Sequence, residues 1–196
     1  MSNKDKNVLV IDYQIGNVSS VINAIKRLGF NVSLSNHKDS IKDATHLILP
    51  GVGSFEAGML NINRLKLKDL IFEKVQKNNT PILGICLGMQ LLATKGYENN
   101  TLTNGLDLIE GKVEMINSGN EKLPHIGWNS VEFKKKNELT LNLDEKNDFY
   151  FVHIYFFNCK NNNEVLATTN YGSNFPSIVQ KKNIIGVQFH PEKSLE

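Results

Sequence analysis

Apolar positions follow two different rhythms along this chain. In the first half, short continuous apolar runs alternate with stretches where apolar residues return every three or four positions. Val8-Leu9-Val10-Ile11 is such a run, the pattern of a strand covered on both faces. Val18, Val21, Ile22, Ile25 and Leu28 then recur at helical spacing, with Asn17 placed to cap the helix and Gly29 to stop it. Residues 30–35, in which Val32 and Leu34 alternate with polar neighbours, read as a second strand. Leu47-Ile48-Leu49, ended by Pro50-Gly51, reads as a third. Residues 66–77 carry Leu67, Leu70, Ile71 and Val75 on one helical face. Thr80-Pro81 introduces a fourth strand, Ile82–Ile85, and residues 87–94 read as helix. This strand–helix order predicts an α/β layer on a parallel sheet.

In the second half the rhythm changes. Residues 113–116, 130–133, 149–157, 165–169, 177–180 and 184–189 are short, aromatic or β-branched, and separated by polar, Gly- or Asn-rich turns. They predict an added β-rich portion on the same core. The expected architecture is therefore a mixed, mostly parallel central sheet flanked by helices, with a small additional β-rich portion, as one domain over residues 1–196.

Composition narrows the function classes. With 40% hydrophobic and 21% charged residues, the chain has ordinary globular proportions, which excludes disordered and fibrous classes. The 22 basic and 20 acidic residues leave a net charge of +2, so nothing calls for nucleic acid or an anionic membrane. The run Lys134-Lys135-Lys136 reads as a solvated loop. Two cysteines, Cys86 and Cys159, are too few for a disulfide-built secreted scaffold and fit a reducing compartment. The first seven residues lack the apolar core of a signal peptide, and no apolar run reaches the length of a membrane span. A cytoplasmic protein is expected.

Three segments carry candidate chemistry. In Gly84-Ile-Cys86-Leu-Gly88, a buried strand runs into a helix through a cysteine flanked by glycines. That is the pattern of a nucleophile elbow, and it places Cys86 at the positive end of a helix, where an anion is favoured. A lone cysteine is more often buried and inert, and the elbow pattern alone is a moderate signal. The second segment, Gln188-Phe-His190-Pro-Glu192, follows the last apolar strand and supplies a base and a group to orient it. Alone it would read as a turn; with Cys86 it completes a Cys…His-x-Glu set. The third, Pro50-Gly51-Val52-Gly53, ends a strand in a turn able to present backbone N–H groups to an oxyanion. No Gly-Lys-Ser/Thr follows, so it is not a phosphate loop.

Together these segments resemble the triad (class I) glutamine amidotransferases, from Val8 to Ser194. Asp12-Tyr-Gln-Ile-Gly16-Asn17, Leu123-Pro-His-Ile-Gly-Trp-Asn129 and Tyr150-Phe-Val-His153 sharpen the likeness. They are similar to those of glutaminases that serve imidazole glycerol phosphate synthesis in the histidine pathway. The resemblance implies that Cys86 attacks the glutamine carboxamide, His190 moves the proton and Glu192 supports His190. Val52 and Leu87 would form the oxyanion hole, and Gly51, Gly53, Gln90, His153, Ile154 and Tyr155 would bind L-glutamine. Asn17, Trp128 and Lys193 would meet a (β/α)8-barrel synthase that receives the ammonia in a heterodimer. No cofactor and no metal is implied. His125 and His153 read as structural or interface histidines. Gln14 and Ile154 depart from the family, which more often has a glycine and a small hydroxyl residue at these places. One rival is a related glutaminase that feeds an N-acetyl-sugar amidotransferase in surface-polysaccharide synthesis. Another is a cysteine hydrolase on a similar α/β fold.

Overall fold

A computed structural model describes residues 6–16, 18–135, 137–141 and 148–194. Asn17, Lys136 and the last two residues, Leu195 and Glu196, lie outside the described residues, and with them the expected helix cap and one interface position. In chain order the elements are β1 (Asn7–Ile11), α1 (Val18–Arg27), β2 (Asn31–Ser35), α2 (Lys38–Asp43), β3 (His46–Leu49), α3 (Phe55–Arg64) and α4 (Leu67–Phe72), which runs into a π-helical turn, Glu73–Lys77. Then come β4 (Ile82–Ile85), α5 (Leu87–Leu91), β5 (Ala93–Glu98), β6 (Thr101–Asn104), β7 (Ile109–Met115), β8 (His125–Ser130) and β9 (Glu132–Phe133). The chain continues through β10 (Asp148–His153), β11 (Tyr155–Cys159), β12 (Val165–Tyr171), β13 (Ser173–Lys181) and β14 (Ile184–Val187) to a 3-10 turn, Pro191–Lys193.

The central sheet has eight strands in the order β2-β1-β3-β4-β14-β13-β12-β9. Pairings from β2 to β14 are parallel and those from β14 to β9 antiparallel. The apolar runs of β1, β3 and β4 are continuous because both faces are covered. Leu9, Leu47, Leu49 and Ile82 pack toward Met59, Ile62, Leu67, Ile71 and Leu91 of the helices on one side. Val8, Val10, Ile48 and Ile85 pack toward Val21 and Ile25 of α1 and the aromatic group Phe149, Phe151, Phe175 and Phe189 on the other.

The second half is not only an addition. Its strands β9, β12, β13 and β14 extend the central sheet, and β14 lies directly beside β4 with Val187 opposite Ile85. The β-rich portion proper is a four-stranded sheet, β11-β7-β5-β6, and the pair β10-β8. Helix 87–94 is also shorter than its pattern suggests. The carbonyls of Leu91, Leu92 and Ala93 accept from the N–H groups of Leu106, Leu108 and Asp107, so the chain leaves the helix for β5. The expected strand 149–157 breaks at Ile154, and its halves join different partners, β8 and β7. Val131 likewise separates β8 from β9. Among the described residues no helix is long and apolar enough to cross a membrane.

Candidate active site

At the end of β4, Cys86 adopts φ 52° and ψ −110°, a sparsely populated positive-φ geometry that costs a side-chain-bearing residue about 1–3 kcal/mol. Its N–H donates to Val187 O at 2.8 Å and its carbonyl accepts from Gln90 N at 3.2 Å, which hold the turn from both sides. The flanking glycines supply room. A Cβ on Gly84 would sit 2.7 Å from Gly88 O, and one on Gly88 only 1.6 Å from Leu49 O. The strain expected of the elbow is thus carried by Cys86 itself. With α5 five residues long, the dipole behind Cys86 is little more than one turn.

Beside it, β14 delivers His190. Phe189 stacks on Phe149 with centroids 4.1 Å apart, and His190 N donates to Tyr150 O at 2.9 Å. His190 Nδ1 lies 2.8 Å from Glu192 Oε1, and both side chains are about 5% exposed or less. A carboxylate oxygen accepts, so Nδ1 carries the hydrogen and Nε2 is left for the thiol side. Burial alone would lower the His190 pKa, but Cys86 and Glu192 together raise it to about 9. Cys86 raises it by lying close to the imidazole, although among the described residues Nε2 meets no partner in good hydrogen-bond geometry. Among the described residues Glu192 Oε2 also has no hydrogen-bond partner.

Cys86 opens onto a cavity of about 500 Å³. Val52, Gly53, Leu87, Gln90, His153, Ile154, Tyr155 and Lys193 border it too. Gly51, His190 and Glu192 border a narrow crevice beside it, together with Val52 and Lys193. Trp128 lies off the cavity, 46% exposed and edge-on to Tyr150 at 5.8 Å, and Lys193 Nζ sits 5.3 Å from the same Tyr150 ring. A second groove of about 480 Å³ is walled by aliphatic residues such as Val8, Ile25, Ile48 and Leu83 and borders no cysteine.

Four contributors went unread in the sequence. Glu98 borders the cavity, accepts from Phe55 N at 2.7 Å, and has its pKa raised, chiefly by burial. Gln188 is fully buried and donates from Nε2 toward Cys86 Sγ at 3.7 Å. Tyr13, 1% exposed, donates its hydroxyl to Pro50 O at 2.6 Å and so pins the turn that carries Val52. Burial raises its pKa, which keeps it a donor. Pro124 completes the cavity wall. Tertiary pairing alone brings Glu98 here, whereas Tyr13, Pro124 and Gln188 lie within the segments that carry the family resemblance, although none of the three has a role by sequence. Gln14 holds φ 63°, which explains why glycine is natural there, and Arg64 donates to its side-chain oxygen. Among the described residues no cluster of His, Cys, Asp or Glu fit for a metal occurs.

A thiol beside an imidazole that is oriented by a carboxylate can perform nucleophilic acyl transfer. Residues 9–196 match the family described as glutamine amidotransferase class-I. A subunit HisH 2 of imidazole glycerol phosphate synthase from Methanococcus maripaludis is 47% identical over 188 residues, covering 95% of this chain and 92% of the relative. The HisH subunit of the same synthase from Lactococcus lactis is 46% identical over 192 residues, covering 97% and 93%. Among solved structures, one of a glutamine amidotransferase superposes with a TM-score of 0.72 at 22% identity, covering 94% of this chain and 90% of that one.

Proposed function

This chain belongs to the glutamine amidotransferase class-I family, and we propose that it is the glutaminase subunit of an imidazole glycerol phosphate synthase in histidine biosynthesis. The observation that carries the mechanism is the convergence of Cys86, from the end of β4, and the His190–Glu192 pair, from the end of the neighbouring β14, beside one cavity. Cys86 Sγ, its thiol proton passed to His190, attacks the carboxamide carbon of glutamine. The carbonyl oxygen becomes an oxyanion held by the backbone N–H groups of Val52 and Leu87. His190, protonated and steadied by Glu192, gives its proton to the amide nitrogen. The C–N bond breaks, ammonia leaves, and a γ-glutamyl thioester remains on Cys86. Water, deprotonated by His190, then cleaves the thioester to glutamate and restores the thiol and imidazole pair.

The cavity's chemistry supports an amino-acid substrate. Gln90 donates both amide hydrogens within the protein, to Tyr155 O at 2.8 Å and Gln188 Oε1 at 3.1 Å. Its carbonyl oxygen is what remains to offer a ligand. Glu98 provides a negative charge for an α-ammonium group, and the backbone at His153, Ile154 and Tyr155, with Gly53, frames the rest, while Gly51 lies at the adjoining crevice. Because only backbone is needed at Ile154, its apolar side chain is compatible with the chemistry. The named relatives are synthase subunits, which supports a partner subunit that consumes the ammonia, a (β/α)8 barrel in this reading. The exposed Trp128, the Tyr150 ring and Lys193, next to the cavity mouth, and Asn17 are the proposed docking positions. The protein would act in the cytoplasm.

The test is co-expression with a candidate barrel subunit. The complex should make imidazole glycerol phosphate from glutamine, and Cys86→Ala should lose that activity while keeping synthesis from added ammonia. Glutamine-dependent synthesis in the Cys86→Ala complex would refute the role of Cys86. Activity only with a sugar-amidating partner would refute the pathway.

A further inference from the structure

Two histidines outside the proposed chemistry are buried beside the glutamine cavity. His125 opens β8 and His153 closes β10, directly opposite in the antiparallel pair. They are 2% and 7% exposed. His125 stacks on Tyr171 at 4.0 Å and on Phe151 at 4.9 Å, so its ring plane is fixed.

Their nitrogens admit one pattern of hydrogens. His153 Nδ1 lies 2.9 Å from the Tyr155 carbonyl, which only accepts, so this nitrogen is protonated. In a neutral ring His153 Nε2 is then an acceptor, and His125 Nδ1, 3.1 Å away, must donate to it. His125 Nε2 accepts in turn from Asn129 Nδ2 at 3.2 Å. Asn129 spends its other amide hydrogen on Asn170 O at 2.9 Å. Burial keeps both rings neutral, with pKa values lowered to about 4 for His125 and about 3 for His153. The result is a one-way chain from Asn129 through His125 and His153 to the Tyr155 carbonyl. That carbonyl is the same one to which Gln90 donates, and through Gln188 the bonds continue toward Cys86 Sγ.

We propose that His125 is a positioning residue for the glutamine site: its Nδ1–H fixes the tautomer of His153, which aims the Tyr155 carbonyl at Gln90. The chain also ties the cavity wall to β8, whose Ile126 and Trp128 are exposed. The role of His125 rests on the reading that the cavity binds glutamine.

Two variants in the assembled synthase separate positioning from packing. His125→Phe keeps an aromatic ring for stacking but cannot donate, whereas His125→Asn offers an N–H close to the Nδ1 position. His125→Phe should raise KM for glutamine about tenfold, the effect of one lost buried hydrogen bond, with kcat within about twofold. His125→Asn should return KM to within about threefold of the parent. An unchanged KM in His125→Phe, or equal KM in the two variants, would overturn the proposal. So would a loss of kcat alone in step with lost folded protein. Should His125→Phe fail to fold, ¹⁵N spectra of the imidazoles in the unmodified protein decide: both His125 and His153 should be protonated at Nδ1, and an Nε2-protonated form of either overturns it. A parent protein without glutaminase activity would sink the glutamine reading instead, and the spectra would still judge the hydrogen-bond chain.

Discussion

Replacing Glu98 by glutamine tests how the cavity recognises an amino acid. Glu98 ends β5 and, with Lys193, is one of two charged residues that border the cavity among the described residues. Its Oε2 accepts from Phe55 N at 2.7 Å at the start of α3. Glutamine at this position keeps an acceptor for that N–H, so the helix start survives and only the charge is removed. A hydrogen bond to a charged group contributes about 1.5–3 kcal/mol and a neutral one about 1 kcal/mol. Glu98 is only partly buried, so solvent screening places the difference near the lower end, at about 1 kcal/mol. That predicts a rise in KM of roughly five- to tenfold with kcat nearly unchanged. The assay compares glutamine with 4-carbamoylbutanoate, the same carboxamide without the α-amino group. The parent should prefer glutamine, and Glu98→Gln should erase most of that preference. An unchanged KM, or a preference that survives in full, would refute the pairing of Glu98 with the α-ammonium.

Tyr13→Phe removes the hydroxyl bond to Pro50 O and leaves a buried carbonyl without it, at a cost of about 1–3 kcal/mol. In a chain of this size Tm should fall by roughly 2–12 °C by calorimetry, and turnover should drop as the Val52 turn loosens; an unchanged Tm would contradict the pinning. His190 has a folded-state pKa of about 9, above its unfolded value of 6.5. Its stabilising contribution is complete below pH 6.5 and is lost as pH rises toward 9, and kcat should fall over the same alkaline limb as the imidazolium that protonates the leaving nitrogen disappears. A rate flat to pH 10 would contradict this role. His125 and His153 are shifted the opposite way, so the unfolded chain binds more protons below pH 6.5. Stability should fall on acidification toward pH 4 by up to about 1.4 kcal/mol per pH unit for each, read from urea midpoints, and His125→Phe should flatten that slope.

Where burial is two-sided, the fold was readable residue by residue: Val8 to Ile11, Leu47 to Leu49 and Ile82 to Ile85 are strands because sheet faces and helices cover them. The Cys86 elbow was readable because Gly84 and Gly88 are sterically required. Helix α3 went unread although Ser54 accepts from Ala57 N and Phe55, Met59 and Ile62 keep helical spacing. The end of α5 was not readable, since residues 106–109 capture its last carbonyls from a distant stretch of chain. For the same reason the switch at Ile154, and the placing of β14 beside β4, needed the three-dimensional pairing. Glu98 gave no local pattern at all and is a site residue only because β5 ends beside the cavity, while Gln188 belongs to the His-x-Glu segment but its bond to Cys86 needed the pairing of β14 with β4.

The central claim is that the thiol of Cys86, and not that of the other buried cysteine, attacks a glutamine side chain. Incubating the synthase complex with a glutamine-mimicking diazoketone and mapping the adduct by peptide mass spectrometry tests it directly. One thioether adduct, formed with loss of N2, should appear on Cys86, be prevented by excess glutamine and vanish in Cys86→Ala. An adduct on Cys159, or labelling that persists in Cys86→Ala, would contradict it.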